Sequence, residues 1–297
     1  MRRFVPVALA LILSFASSSC LVKGRVIKRH GVAVTPGAAP VLLAATRDEL
    51  TSRIRNLYNA IESFQATVDM APSYGSVYKS KITDIKDVRG YVLFRKPDSI
   101  RILGQIPLVR TKEFEMVSSG DEYKVHIVSH NLFIEGSSNA PPSGTISLEN
   151  LRPDAFLTSM LIRPADPQIE TAILEDLTDE DDALYVVHFM RKGANGQLML
   201  DRNVYFDRLD LSIVRQKMFD ESSGIISDTR YSKWQPYNNV MFPSHIDINR
   251  PKDGYGVGVQ ILEMQMNLPL TDDKFVLTQP EGTKLRVLPR TPDGGAK

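Results

Sequence analysis

The chain has 297 residues, with 36 lysines and arginines against 35 aspartates and glutamates and a formal charge of +1. So even a balance gives no basic surface for nucleic acid, and a single cysteine excludes an intrachain disulfide framework. The length allows a substantial core, in one large β domain or two small ones, and neither a composition break nor an internal repeat divides it.

The first element, residues 1–19, reads as a lipoprotein signal peptide. Arg2 and Arg3 make a short basic start, Phe4 to Phe15 is an almost unbroken apolar core, and Ala16-Ser17-Ser18-Ser19 supplies small residues before Cys20. An apolar run of about a dozen residues falls short of the roughly 20 that a spanning helix needs. Cleavage would leave a mature protein that begins at a lipid-modified Cys20, and loss of Arg2 and Arg3 would take the formal charge to −1. A plain secretory signal is the alternative, because Ser17 stands where lipoprotein signals more often carry leucine.

Residues 20–45 read as a tether. Lys23, Arg25, Lys28, Arg29 and His30 precede a Pro/Ala/Gly stretch around Pro36 and Pro40 that has no sustained apolar period. Next to a lipid anchor, each basic residue would be drawn to anionic headgroups by about 1 kcal/mol. The same charges serve equally as solvation in a linker.

Order is expected from Thr46, where Thr46-Arg47-Asp48-Glu49 matches a capping box. Leu50, Ile54, Leu57, Tyr58, Ile61 and Phe64 recur at helical spacing, so the spacing predicts an amphipathic helix that ends in Glu62-Ser63-Phe64-Gln65-Ala66. After Pro72 the period becomes two and largely stays so to Phe275, the mark of an antiparallel β protein. Strands are expected at 90–94, 99–103, 113–117, 123–128, 184–190, 197–206, 211–219, 225–231, 242–249 and 256–266. Turn signals fall at Lys96-Pro97-Asp98, Ser119-Gly120-Asp121, Ala194-Asn195-Gly196 and Ser222-Ser223-Gly224. One interruption, 151–161, reads as a second helix with Pro153 in its first turn. A sheet of about ten twisted strands curls toward closure, and helices over its concave face would bury the apolar positions. Such a cup either fills with side chains or encloses a cavity.

These pieces resemble the outer-membrane lipoprotein-sorting proteins, the LolA/LolB family, and are closest in layout to the lipoprotein receptor LolB. The likeness rests on the lipidated cysteine, the tether and the helix. It continues through 88–102, Pro107-Leu108, Phe114-Glu115-Met116 and Ser118-Ser119-Gly120-Asp121. The C-terminal half adds Asp228-Thr229-Arg230-Tyr231, 242–248 and 267–275. The resemblance covers residues 46–283 as one barrel domain and leaves 284–297 as a disordered tail. It implies an open, incomplete antiparallel β-barrel of about eleven strands, with helices as a lid over an apolar cavity for acyl chains. It also implies a membrane-inserting leucine after proline, which falls on Leu108. Val109 and Arg110 stand where the receptor has small residues, and the C-terminal half here is longer.

The loop also carries its own argument. Ile106, Pro107, Leu108 and Val109 put large aliphatic side chains into a turn, where polar residues are usual. Burying one of them in hydrocarbon would contribute about 1.5 to 3 kcal/mol, enough to touch a bilayer but not to anchor there. Folding inward beneath a neighbouring loop is the competing reading. For the acyl-chain cavity the shared-face set is Val92, Phe94, Ile100, Ile102, Phe114, Met116, Val125 and Ile127, covered by Leu157, Met160 and Leu161, with ordinary core packing as the default for each. Met199, Met218, Met264 and Met266 would suit an adaptable lipid surface or an irregular core.

No catalytic constellation stands out. The five histidines are scattered, and HExxH, Gly-x-Ser-x-Gly and a glycine-rich phosphate loop are all missing. The acidic run Glu175, Asp176, Asp179, Glu180, Asp181, Asp182 lacks the glycine-punctuated form of a calcium loop and reads as a solvated connector. The expectation is therefore a non-enzymatic lipoprotein, without cofactor or metal, at the periplasmic face of the outer membrane. Its partners would be lipoprotein or lipid acyl chains, a periplasmic lipoprotein carrier, and the membrane through Cys20. A lipid-sensing regulatory lipoprotein and a structural envelope component with a filled barrel are the alternatives.

Overall fold

The structure, a computed structural model, describes residues 41–76, 81–84, 86–106, 111–137, 152–179, 181–193 and 196–288. The expected signal peptide, Cys20 and the tether to Pro40 lie outside the described residues. So do Pro107, Leu108, Val109 and Arg110, Ala194 and Asn195, and the tail from residue 289. No helix among the described residues is long and apolar enough to cross a membrane.

The first helix, α1 (Arg47–Asn59), begins with the expected capping box: Glu49 N–H donates to Thr46 Oγ1 at 3.3 Å, and Thr46 N–H donates to Glu49 Oε2 at 2.7 Å. It stops well before Ala66. Phe64 satisfies two periods at once, and the alternation Phe64, Ala66, Val68, Met70 wins, starting strand β1 (Ser63–Ser76). Asn267 fixes the break. Its Oδ1 accepts from Glu62 N–H at 2.8 Å, and its Nδ2 donates to Ala60 O at 2.9 Å.

The chain continues through β2 (Lys81–Asp84), β3 (Val88–Arg95), β4 (Ser99–Gln105), β5 (Lys112–Ser119), β6 (Glu122–Ile127) and β7 (Leu132–Ser137). The second helix, α2 (Pro153–Met160), carries its proline in the first turn as expected. Then come β8 (Glu170–Thr178), β9 (Ala183–Lys192), β10 (Leu198–Asp207), β11 (Ile213–Phe219), β12 (Ile225–Tyr237), β13 (Val240–Arg250), β14 (Tyr255–Met266) and β15 (Lys284–Val287). All fifteen strands among the described residues join one sheet in the order β15-β7-β6-β5-β4-β3-β1-β14-β13-β12-β11-β10-β9-β8, with β2 paired to β1. Every pairing is antiparallel except β15 with β7. Strands β15 and β8 are not paired to each other, so the sheet is an open, unclosed barrel.

Two stretches differ from the sequence reading. Lys284–Val287, assigned there to a disordered tail, form β15: Lys284 N–H donates to Asn131 O at 3.0 Å and the backbone pairs with Leu132–Glu135. The acidic run is in part the edge strand β8. Glu175 bonds His188 at 2.7 Å and Asp176 bonds Arg208 at 3.1 Å, while Asp179 Oδ1 accepts from the backbone of Asp181 and Asp182. Charged side chains on an edge strand discourage pairing with another chain.

The segment after β14 crosses the outer face of the sheet. Phe275 and Leu277 pack there on Val117 and Phe133. Arg95 lies 5.1 Å above the Phe275 ring and donates to Leu270 O at 2.8 Å, and Arg101 donates to Lys274 O at 2.9 Å. Beneath this strap Glu115 is buried. Burial opposes its ionisation, but hydrogen bonds from Lys112 and Arg101 outweigh that and hold its carboxyl below the usual range.

Replacing the side chain that ends α1 should weaken the whole sheet, because it leaves Glu62 N–H and Ala60 O without partners. Asn267→Ala is expected to lower unfolding free energy by about 2 kcal/mol, measured by urea denaturation.

Candidate functional site

The concave face is built in cross-strand rows. Ala66, Val92, Ile102, Met116, Val125 and Ile134 are successive register partners, as are Phe64, Phe94 and Ile100. A third row runs Gly104, Phe114, Ile127. The Phe114 ring lies over Gly104, where an added Cβ would clash with it. Phe64 stacks tilted against Phe94 with ring centroids 5.1 Å apart. The face shared by Val92, Phe94, Ile100, Ile102, Phe114, Met116, Val125 and Ile127 is thus one contiguous surface.

Both helices cover it. Leu50 and Ile54 from α1, and Phe156, Met160 and Leu161 from α2 and its C-cap, join the same hydrophobic cluster, with Leu157 packed against it. Met160 and Leu161 are 4% and 7% exposed, and Phe94, Ile100, Ile102 and Met116 are fully buried. Side chains therefore fill the barrel where the sequence set lies. Leu157 and Leu161 also line a recess of about 170 Å³, together with Tyr58, Arg163, Arg202, Gln216 and Met218. Met264 and Met266 are buried in the core.

What sequence reasoning missed is on the other half of the concave face. Where β10, β11 and β12 turn inward they present Arg202, Gln216, Ser227, Thr229 and Tyr231, all buried. Three of them, Gln216, Thr229 and Tyr231, hold the last turn of α2. Gln216 Nε2 donates to Thr158 O at 3.1 Å, Tyr231 OH donates to Ser159 O at 2.8 Å, and Thr229 Oγ1 donates to Ser159 Oγ at 3.2 Å. Burial pushes the Tyr231 hydroxyl far above its ordinary pKa, so it stays a donor. The only sequence signal was weak: period-two strands whose inward positions turn polar at Gln216, Ser227 and Thr229.

Arg202 anchors the chain just past α2. It is 1% exposed and lies 4.0 Å from the Phe189 ring centre. It donates to Arg163 O at 2.6 Å and to Glu170 at 3.2 and 3.3 Å. Glu170 accepts from Arg163 and from Asp166 N–H as well. Burial works against the Glu170 charge, yet the Arg202 hydrogen bonds and charge keep its carboxyl below the usual range.

A larger cleft, about 1160 Å³, runs beside α1 against the β10–β11 and β12–β13 turns and is lined in part by Trp234. Among the described residues no group of three or more His, Cys, Asp or Glu is placed to hold a metal ion. Ile106 is 39% exposed, and the rest of the expected membrane-contact loop lies outside the described residues.

No protein-family model and no curated protein matches the chain. Solved structures do. A DUF1329 family protein from Desulfovibrio piger aligns with a TM-score of 0.52 at 12% identity, covering 77% of this chain and 95% of that one. A LolA superfamily protein from Nitrosomonas europaea gives 0.51 at 14%, covering 79% and 99%. A domain named for outer membrane lipoprotein sorting, from Vibrio parahaemolyticus, gives 0.50 at 9%, covering 77% and 97%. The fold is LolA-like.

The buried ion pair makes stability depend on pH in a defined direction. Glu170, Glu115 and Asp228 all titrate below their ordinary range. Their contribution is complete above the unfolded carboxylate values, ~4, and is lost as pH falls through the lower folded values. Arg202→Met should cost about 3 kcal/mol at neutral pH by leaving Glu170 short of a partner, and Arg202→Met with Glu170→Leu should recover most of it. Thermal unfolding across pH 3 to 7, a range set by these ~4 carboxylates, checks both statements.

Proposed function

We propose that the chain is a lipid-anchored protein of the outer membrane, facing the periplasm, which accepts acyl chains inside its barrel and takes part in lipoprotein localisation. The observation that carries this reading is the way α2 is held. The last turn of α2 leaves carbonyls without intrahelical partners, and once buried they need donors from elsewhere. Here three hydrogen bonds from the barrel wall to Thr158 and Ser159 give α2 a definite closed position. Each contributes about 1 kcal/mol net, and burial of Phe156, Met160 and Leu161 adds about 1.5 to 3 kcal/mol per side chain, so α2 leaves the wall only where an acyl chain takes over those apolar contacts. The recess beneath it, about 170 Å³, is below the ~300–1,000 Å³ of ordinary ligand sites. An acyl chain therefore enters as α2 lifts and replaces its apolar packing on β4 and β5, the strands of Ile102 and Met116.

The likeness to a domain named for lipoprotein sorting supports the choice of cargo. Cys20 supports anchorage, and Pro107-Leu108 supports a bilayer-touching loop. In this account a periplasmic carrier hands the acyl chains over, and Leu108 meets the membrane at delivery. The filled barrel also favours a second reading, a structural envelope component without a ligand.

An apolar fluorescent dye separates the two. The ligand-binding account expects saturable binding that tightens about fivefold or more in Gln216→Ala with Tyr231→Phe, because loosening the seat raises the open population by the ~1 kcal/mol lost per bond. The structural account expects no saturable site in either protein. Transfer of a purified lipoprotein from its carrier to liposomes then tests the role: the native protein should take up and insert cargo, and Leu108→Glu should take it up without inserting it.

A further inference from the structure

The cleft beside α1 differs in kind from the covered interior. One wall is the side of α1 that carries Ser52, Asn56 and Leu57; the other is formed by the β10–β11 and β12–β13 turns. Its floor is the outer layer of the core. Ile213 is buried, and Leu57, Trp234 and Val240 are half-buried against the main hydrophobic cluster. Trp234 is fixed there by donation from Nε1 to Ile213 O at 3.0 Å. The turns that shape the far wall hold Leu211 at φ 56° and Asn239 at φ 66°. A leucine in the left-handed region is unusual and persists only where its surroundings impose it.

The charges around this floor are uneven. Among the described residues, Asp48, Glu49 and Asp210 line the cleft with Arg53 as the one cation. Asp48 is paired with Arg47 at 2.8 Å, and both also line an adjoining hollow with Ala172, Ile173 and Leu174, so Glu49 and Asp210 are the carboxylates that outnumber Arg53 in the cleft. Glu49 stays ionised because it accepts hydrogen bonds from the Thr46 backbone and side chain. The recess under α2 is lined by Arg163 and Arg202 instead. An apolar floor under a negative rim repels an anionic head and attracts a cationic one.

We infer that the cleft beside α1 binds a single-chain amphiphile with a cationic, ammonium head, its chain lying along Leu57, Ile213, Trp234 and Val240. The head sits among Asp48, Glu49 and Asp210. This inference rests on the acyl-chain reading of the barrel and adds a second seat outside it, selective for head charge.

Trp234 is the only tryptophan in the chain, so a contact quencher reports on this cleft directly. The probes are ω-bromododecyl trimethylammonium and ω-bromododecanoate, each kept below its micelle concentration. The expected result is saturable quenching by the ammonium probe, about tenfold tighter than by the carboxylate probe at low salt. In Asp48→Asn with Asp210→Asn the two should come within about threefold. Equal binding of the two heads in the native protein overturns the inference, as does a preference that survives both substitutions. Displacement of an apolar dye without any Trp234 quenching places the chain in the interior; the acyl-chain reading then stands and the cleft does not. If neither dye binding nor quenching occurs, both fall.

Discussion

An open sheet with an apolar concave face cannot stand uncovered, and most of this structure follows from that constraint. Val92, Phe94, Ile100, Ile102 and Met116 are essentially inaccessible to solvent, and each would forfeit about 1.5 to 3 kcal/mol if left in water. The sheet edges β8 and β15 do not meet, so closure cannot hide this face. Two helices do so instead: α1 and α2 join the cluster that the strands begin. Outside, the strap through Phe275 and Leu277 covers a smaller apolar patch.

The concave face is not uniform, and the difference assigns the helices different roles. Strands β3 to β6 offer almost only apolar side chains, on which any helix can lie. Strands β10 to β12 offer Arg202, Gln216, Thr229 and Tyr231, which need partners once dry. They find them at Thr158, Ser159, Arg163 and Glu170. The polar seat sets where α2 rests, and the apolar half supplies the surface that α2 conceals. In the proposed account an acyl chain takes the place of α2, so that the helix lifts without leaving apolar surface bare.

The sequence made the strands legible where alternation was clean and the turns had turn chemistry. Alternation expected a shared face for these positions, and the register that pairs Val92 with Ile102, Phe94 with Ile100 and Met116 with Val125 is what the fold adds. The capping box at Thr46 and the proline at the start of α2 were equally readable because each signal is local. The end of α1 was not. Phe64 fits both periods, and the group that decides, Asn267, lies far along the chain. β8 was hidden by its charge, since an edge strand with Glu175 and Asp176 pairs on one side only and reads as a connector. The seat of α2 left only the weak trace of polar inward positions, because Gln216, Tyr231 and Arg202 acquire their role only when separate strands curl toward one helix. Whether the cup is filled is a question of volume, which no pattern of residues encodes.

The central claim is that α2 is a lid and not simply part of the core. Amide hydrogen exchange tests it most directly, followed for 153–162 and for β3 to β5 with and without a saturating acyl-chain probe. The account predicts that α2 exchanges through local opening, well before the strands, and that the probe changes exchange in α2 while leaving the strands as they were. Exchange of α2 only together with β3 to β5, by global unfolding and indifferent to the probe, would contradict it.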